Sequence, residues 1–221
     1  AGVDPLDSKR KEFESLTAMN AFSSVQEARS ALENADMAVV ANESGGHLIL
    51  AMQLVGLVPN LLVEKPLTLR AANSRKLIGA CKSAGTSLNI VQQNRLNPPV
   101  QKLLSAISSG ALGRIHSANV QVLWNREVDY YNQAEWRGTW DWDGGVMSNQ
   151  ANHHLDLLRL IMGKPKSARA FVRNTRGLTA TDDLASGVIE FESGALAVFE
   201  LTTAARPKNV SSSISVVGEF G

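Results

Sequence analysis

Lys65 stands in the stretch Glu64-Lys65-Pro66, directly after the apolar run Asn60-Leu61-Leu62-Val63. A lysine that ends a strand is ordinarily solvated, and a proline after it ordinarily stops the hydrogen-bond ladder. The chemical alternative is that Lys65 lies at the carboxyl edge of a parallel sheet, where open α/β folds bind ligands. There an ammonium can steady an oxygen that is gaining negative charge. The second candidate is the segment MSNQANHHLDLLRL, residues 147–160. On one continuous helix Asn149, His153 and Asp156 sit at i, i+4 and i+7 and share a face. That face borders an apolar surface of Leu157, Leu158, Leu160 and Ile161, which suits a residue aimed into a cleft. A histidine that titrates near neutrality can take or return a proton, and Gly144 and Gly145 just before it allow close approach by a ligand. A surface helix carrying a histidine pair accounts for the same residues.

Other chemistry is thinner. The loop DYYNQAEWRGTWDWDGG, residues 129–145, gathers Tyr130, Tyr131, Trp136, Trp140 and Trp142 around Arg137. Aromatics with one arginine can stack on a ring and grip an anion, although a hydrophobic plug or a subunit contact uses the same residues. Arg95 and Asn97 fall where the chain changes character, and clefts between domains are common ligand sites. Asp4 ends the opening stretch Ala1-Gly2-Val3. In a dinucleotide-binding fold an acid at that place accepts hydrogen bonds from the adenine ribose, about 20 residues beyond a glycine-rich loop. No G-x-G-x-x-G occurs in the chain, and taken alone Asp4 reads more readily as a plain strand-to-turn aspartate. A metal centre is not expected. His153 and His154 are adjacent, so about 100° of helix separates them, and neither H-E-x-x-H nor a Cys/His cluster is present.

Two kinds of element have to position these residues. Over residues 1–95, short apolar runs (36–41, 60–64, 86–92) alternate with amphipathic stretches (6–16, 45–56, 69–84), the last closed by Gly85. Ser24-Val25-Gln26-Glu27 reads as a capping box for a helix towards Asn34. Strands alternating with helices imply a parallel sheet. Over residues 96–221 a helix (99–109) and a helix near 147–162 accompany strand-like runs at 114–124, 167–174, 185–191, 195–203 and 211–218. Glu192-Ser193-Gly194 reads as a hairpin turn. Strands that follow strands imply a mainly antiparallel open sheet. The expected fold is therefore a Rossmann-like α/β domain over residues 1–95, without its first strand and glycine-rich loop, followed by an α+β domain over residues 96–221.

Composition narrows the classes. The 221 residues are 44% hydrophobic and 19% charged with a formal net charge of +1, a globular composition without a basic stripe. Nucleic acid is not an expected partner. The most apolar stretch, 48–63, is too broken to span a bilayer, so no membrane association is expected. Cys81 is the single cysteine, which excludes an internal disulfide and points to a reducing, cytoplasmic setting.

Glu64-Lys65-Pro66, then Gly144-Gly145, then His153-x-x-Asp156, inside a chain that turns from α/β to β-rich, resemble the Gfo/Idh/MocA family of nicotinamide-dependent oxidoreductases over essentially the whole chain. Within it, QNRLNPPVQ, YYNQAEWRGTW and NQANHHLDLL most resemble sugar-nucleotide members that oxidise the 3-hydroxyl of UDP-N-acetylglucosaminuronate. The resemblance implies hydride transfer between NAD and a sugar hydroxyl carbon. Lys65 would sit at the reacting oxygen and His153 would carry the proton, the two converging on one cleft. Asn149 stands where many members have an aspartate, so it can orient a hydroxyl but cannot accept its proton. Asp4, Asn42, His47, Glu64 and Lys65 would face the cofactor, and Arg95, Asn97, Tyr131, Arg137, Asn149 and His153 the substrate. Asp4 favours NAD, while Lys9 and Arg10 leave NADP open. The resemblance further implies a cis Lys65–Pro66 bond and a dimer or tetramer built through the β-sheet domain. Without the phosphate loop, the 221 residues alone are expected to be inactive. A non-catalytic ligand-binding or assembly module is the alternative.

Overall fold

The computed structural model describes residues 1–221, and the chain divides into two compact units, Ala1–Val91 and Gln92–Gly221. The first opens with β1 (Gly2–Val3), α1 (Asp7–Thr17) and β2 (Ala21–Phe22). A short α2 (Arg29–Leu32) leads to β3 (Ala38–Val40), α3 (His47–Leu54), β4 (Asn60–Val63), α4 (Ala71–Ala84) and β5 (Ser87–Ile90). β3, β4 and β5 form a parallel sheet in that order, whereas β1 and β2 pair in parallel as a separate ribbon. Alternation decides the packing: Val40, Leu61 and Val63 are fully buried under Ala51, Leu54, Leu77 and Cys81, while Val39 and Ile90 are exposed. Gly85 ends α4 in the left-handed conformation, as glycine at that place does. The expected capping box forms in altered shape. Ser24 Oγ accepts the Glu27 N–H, but the Glu27 carboxylate reaches the N–H of Ser23, and only one helical turn follows.

The second unit holds α5 (Pro98–Ser108), β6 (Ile115–Leu123), α6 (Val128–Tyr131), α7 (Asn152–Met162), β7 (Pro165–Arg173), β8 (Leu184–Phe191), β9 (Leu196–Thr202) and β10 (Ser211–Gly218). Its sheet runs β10-β6-β9-β8-β7; β6 and β9 are parallel and the other neighbours antiparallel. The Phe191–Ala195 turn closes the β8–β9 hairpin with Gly194 at φ 83°. Period-two patterning sends Val120, Val122, Ala197, Phe199 and Leu201 inward, against Leu158 and Ile161 of α7 and Leu103, Leu104 and Ile107 of α5. The opposite face carries no helix and exposes Phe171, Val188, Leu196, Val198 and Val217.

The expected helix over 147–162 is two pieces. Residues Val146–Gln150 form a wide π-type turn, and α7 begins only at Asn152. The regular i, i+4 relation of Asn149 to His153 therefore does not apply. Tertiary anchors account for the break. Gly144 and Gly145 have φ near 80°, the Asp182 carboxylate accepts the Val146 N–H, and buried Asp143 accepts both the Gly138 N–H and the Asn149 amide. A side chain at Gly145 would strike the Asp182 carboxylate.

Candidate active site

In the first unit the proposed cofactor-facing residues gather at the carboxyl ends of parallel strands. Glu64 extends β4 by donating its N–H to Val40 O at 2.9 Å, and its carboxylate accepts the Lys65 N–H at 3.1 Å. Lys65 follows, half-buried, and its bond to Pro66 is cis, as the resemblance implies. Asn42 lies past the end of β3. Its backbone oxygen faces His47 Nε2 at 3.0 Å, while Pro66 O faces His47 Nδ1 at 2.7 Å. The buried His47 ring thus ties the turn after β3 to the Lys65–Pro66 segment. Asn42 Oδ1 is a buried acceptor without a hydrogen-bond partner, the kind of group a bound ligand satisfies. At the end of β1, Asp4 accepts the Leu6 N–H at 2.8 Å. The cations beside it are engaged: Arg10 donates to the carbonyls of Asp4 and Pro5 at 2.8 and 2.9 Å, and Lys9 pairs with Glu12 at 2.8 Å.

In the second unit, α7 presents His153 and Asp156 towards the turn formed by residues 92–97. His153 Nδ1 lies 2.9 Å from Gln92 Oε1, and Gln92 Nε2 donates to Asn152 Oδ1 at 3.1 Å. Asp156 receives both Arg95 Nε at 2.7 Å and an Arg95 terminal nitrogen at 2.6 Å, the two-pronged geometry that a guanidinium and a carboxylate make best. Arg95 is therefore occupied by Asp156. Asn97 is exposed and precedes Pro98 at the start of α5. His153 is 7% exposed and His154 6%. Burial first, and the neighbouring His153 second, push His154 below the usual histidine range. Its Nε2 meets Ser212 Oγ and its ring stands edge-on to Trp124. His154 is thus packed in the core between Ser212 and Trp124, whereas His153 faces the turn that carries Gln92.

The aromatic loop is partly as expected. The Arg137 guanidinium lies 4.3 Å from the Tyr130 ring centre and 4.8 Å from that of Trp136, and its Nε is buried without a partner. Tyr131 turns away to Thr203 Oγ1 at 3.3 Å, and burial raises its phenol above the usual value. Trp140 and Trp142 are exposed. Sequence reasoning passed over Gln92 and Asp143, which hold His153 and Asn149. The signal available was spacing: Gln92 and Arg95 are three apart, as are His153 and Asp156. It also passed over a recess of 710 Å³ lined by Asn125, Arg126, Tyr130, Lys208 and Asn209 among others. No cluster of metal-ligating side chains is present, and no helix is long and apolar enough to cross a membrane.

Comparison with known proteins finds matches for both units. Residues 1–91 match the model of an oxidoreductase family described as an NAD-binding Rossmann fold, and residues 100–221 match the GFO/IDH/MocA C-terminal domain. Among solved structures, the chain is 33% identical to the WlbA dehydrogenase from Bordetella pertussis, described in complex with NADH and UDP-GlcNAcA. That alignment has a TM-score of 0.93 and covers 98% of this chain and 62% of the other. A WlbA dehydrogenase from Chromobacterium violaceum, in complex with the same two molecules, is 31% identical at the same TM-score, with 98% and 63% covered. Among curated proteins, myo-inositol 2-dehydrogenase from Thermotoga maritima is 25% identical over 177 residues, covering 76% of this chain and 49% of that protein. The chain thus spans between a third and a half of the curated relatives it first matches, and under two thirds of the solved ones.

Proposed function

The chain belongs to the Gfo/Idh/MocA family of oxidoreductases, and we propose that the protein carrying it is an NAD-dependent dehydrogenase of a nucleotide sugar. The observation that carries the reading is the likeness to two dehydrogenases described with NADH and UDP-GlcNAcA, at 33% and 31% identity over nearly all of this chain. The residues of the first unit fit a dinucleotide. Asn42 offers an unpartnered buried oxygen, and Asp4 offers a carboxylate at a strand end, suited to a ribose hydroxyl pair. Lys9 is drawn to Glu12 and Arg10 to two backbone carbonyls, so neither is directed at a 2′-phosphate, which favours NAD over NADP.

When bound, the nicotinamide supplies the hydride chemistry. The chain's own residues have to supply a proton carrier and a positive charge. Lys65 is assigned the charge, as a donor to the reacting oxygen whose hydrogen bond strengthens while that oxygen is electron-rich. His153 is assigned the proton, which an imidazole can hold on one ring nitrogen and pass on. Asn149, fastened to Asp143, orients a substrate hydroxyl without taking its proton. Arg137, in contact with two aromatic rings and with Nε unpartnered, is the anion-binding candidate for a carboxylate or diphosphate. The bare sheet face of the second unit is proposed to take a second copy of this chain.

The test is direct. Intact protein, NAD and UDP-N-acetylglucosaminuronate are mixed and reduced nicotinamide is followed by absorbance. Formation that depends on both Lys65 and His153 is expected. Absence of reduction with this and other nucleotide sugars would overturn the reading.

A further inference from the structure

We propose that Gln92 sets the tautomer of His153, so that Nδ1 keeps its proton and Nε2 is the nitrogen that exchanges a proton with substrate. This deepens the dehydrogenase reading and rests on it. The argument is one of donors and acceptors. Gln92 has one amide oxygen and one NH₂ group. Its NH₂ is directed at Asn152 Oδ1, 3.1 Å away, so the group facing His153 Nδ1 at 2.9 Å is the oxygen. An amide oxygen can only accept, so Nδ1 must donate, and in a neutral imidazole the lone pair then falls on Nε2.

The placement of Gln92 is itself determined by the neighbouring contact. The turn at residues 93–96 that follows it is fastened to α7 by the paired bonds from Arg95 to Asp156. Gln92 to Arg95 and His153 to Asp156 are equal steps of three, so the two contacts fix both distance and register. A further bond, from Gln101 Nε2 to the Arg95 carbonyl, ties the turn to α5. Gln92 is thus a positioning residue held at two points, and the Asp156 of the H-x-x-D motif acts through Arg95 on that position.

Intact protein labelled with ¹⁵N-histidine provides the test, with the His153 resonances assigned by their loss in His153→Gln. In the unsubstituted protein the neutral ring is expected to show a protonated Nδ1 and an unprotonated Nε2. Gln92→Glu, whose carboxylate also accepts, should keep that pattern and retain most turnover. Gln92→Met should mix the tautomers and lower kcat at least about tenfold, short of the roughly 10²–10⁴ that a whole general acid–base group contributes. Its KM for NAD should stay unchanged. A protonated Nε2 in the unsubstituted protein, the result if both amides were turned over together, would overturn the proposal. So would a tautomer indifferent to Gln92→Met. Parental turnover in His153→Gln would instead overturn the proton-carrier reading beneath it, whichever tautomer the spectra show.

Discussion

At the scale of single residues, the assigned roles separate into effects on rate and effects on binding. Lys65 is assigned to the reacting oxygen, where its interaction is stronger in the transition state than in the ground state. Lys65→Ala in the intact protein should lower kcat by about 10²–10³, the range for losing one preorganised donor. The dissociation constant for NAD, measured by fluorescence or calorimetry, should change little. Arg137 is assigned to uniform binding of an anion. Arg137→Met keeps a long apolar stem beside Tyr130 and Trp136 but removes the charge. It should raise KM for the nucleotide sugar about tenfold or more with kcat nearly unchanged, since a charge-assisted hydrogen bond contributes about 1.5–3 kcal/mol. Steady-state kinetics on the two variants would distinguish these patterns.

At the scale of elements, the loop before β8 carries adjacent aspartates of opposite electrostatic character. Burial pushes Asp183 up, but the N–H and hydroxyl of Thr175 and the N–H and guanidinium of Arg176 outweigh it, and its carboxyl lies below the usual range. Burial of Asp182 wins over its backbone donors, the Val146 N–H among them, and raises that carboxyl. The signs follow. A depressed carboxyl adds stability above its unfolded pKa of about 3.9 and loses it as pH falls through the lower folded value. A raised one contributes most below the unfolded pKa, and loses that contribution as pH rises through the folded value. Asp183→Asn should therefore cost about 3 kcal/mol at neutral pH, with the deficit closing in acid. Asp182→Asn should cost little at neutral pH and fall further behind the parent as pH drops. Denaturant melts across pH would show the opposite slopes.

These same elements show what the sequence made legible. The strands of both sheets, the glycine stop at Gly85 and the turn at Gly194 follow from local rules of alternation and left-handed backbone. The break of the 147–162 helix does not. It depends on Asp143 and Asp182, and Asp182 lies more than thirty residues from the turn whose N–H it accepts. Arg95 was legible as a chemically interesting residue. Its pairing with Asp156 was not, because the equal three-residue steps permit a contact between positions 95 and 156 without specifying it.

At the scale of the whole chain, two features bear on assembly and dissection. The uncovered face of the second unit's sheet mixes exposed Phe171, Val188, Leu196, Val198 and Val217 with polar groups such as the Gln121–Glu200 pair. A mixed apolar and polar surface of this kind suits an isologous contact between copies. Light scattering of the intact protein should report a dimer or larger, and Val198→Glu should shift it towards monomer. The boundary between the compact units along the chain falls between Val91 and Gln92. A fragment beginning at Gln92 keeps the partners of His153 and Asp156, whereas one beginning at Leu96 removes both. The longer fragment should melt at the higher temperature, by several degrees for each kcal/mol retained.

The paired spacing of 92 with 153 and 95 with 156 also limits how this sequence can drift. Replacing Asp156 alone strands a guanidinium, and replacing Arg95 alone strands a carboxylate whose side chain is only 16% exposed. Single substitutions at these places meet a penalty that a double substitution avoids. Across descendants of this chain the four positions should change in step, two by two, so that a lineage lacking the aspartate is also one that has given up the arginine.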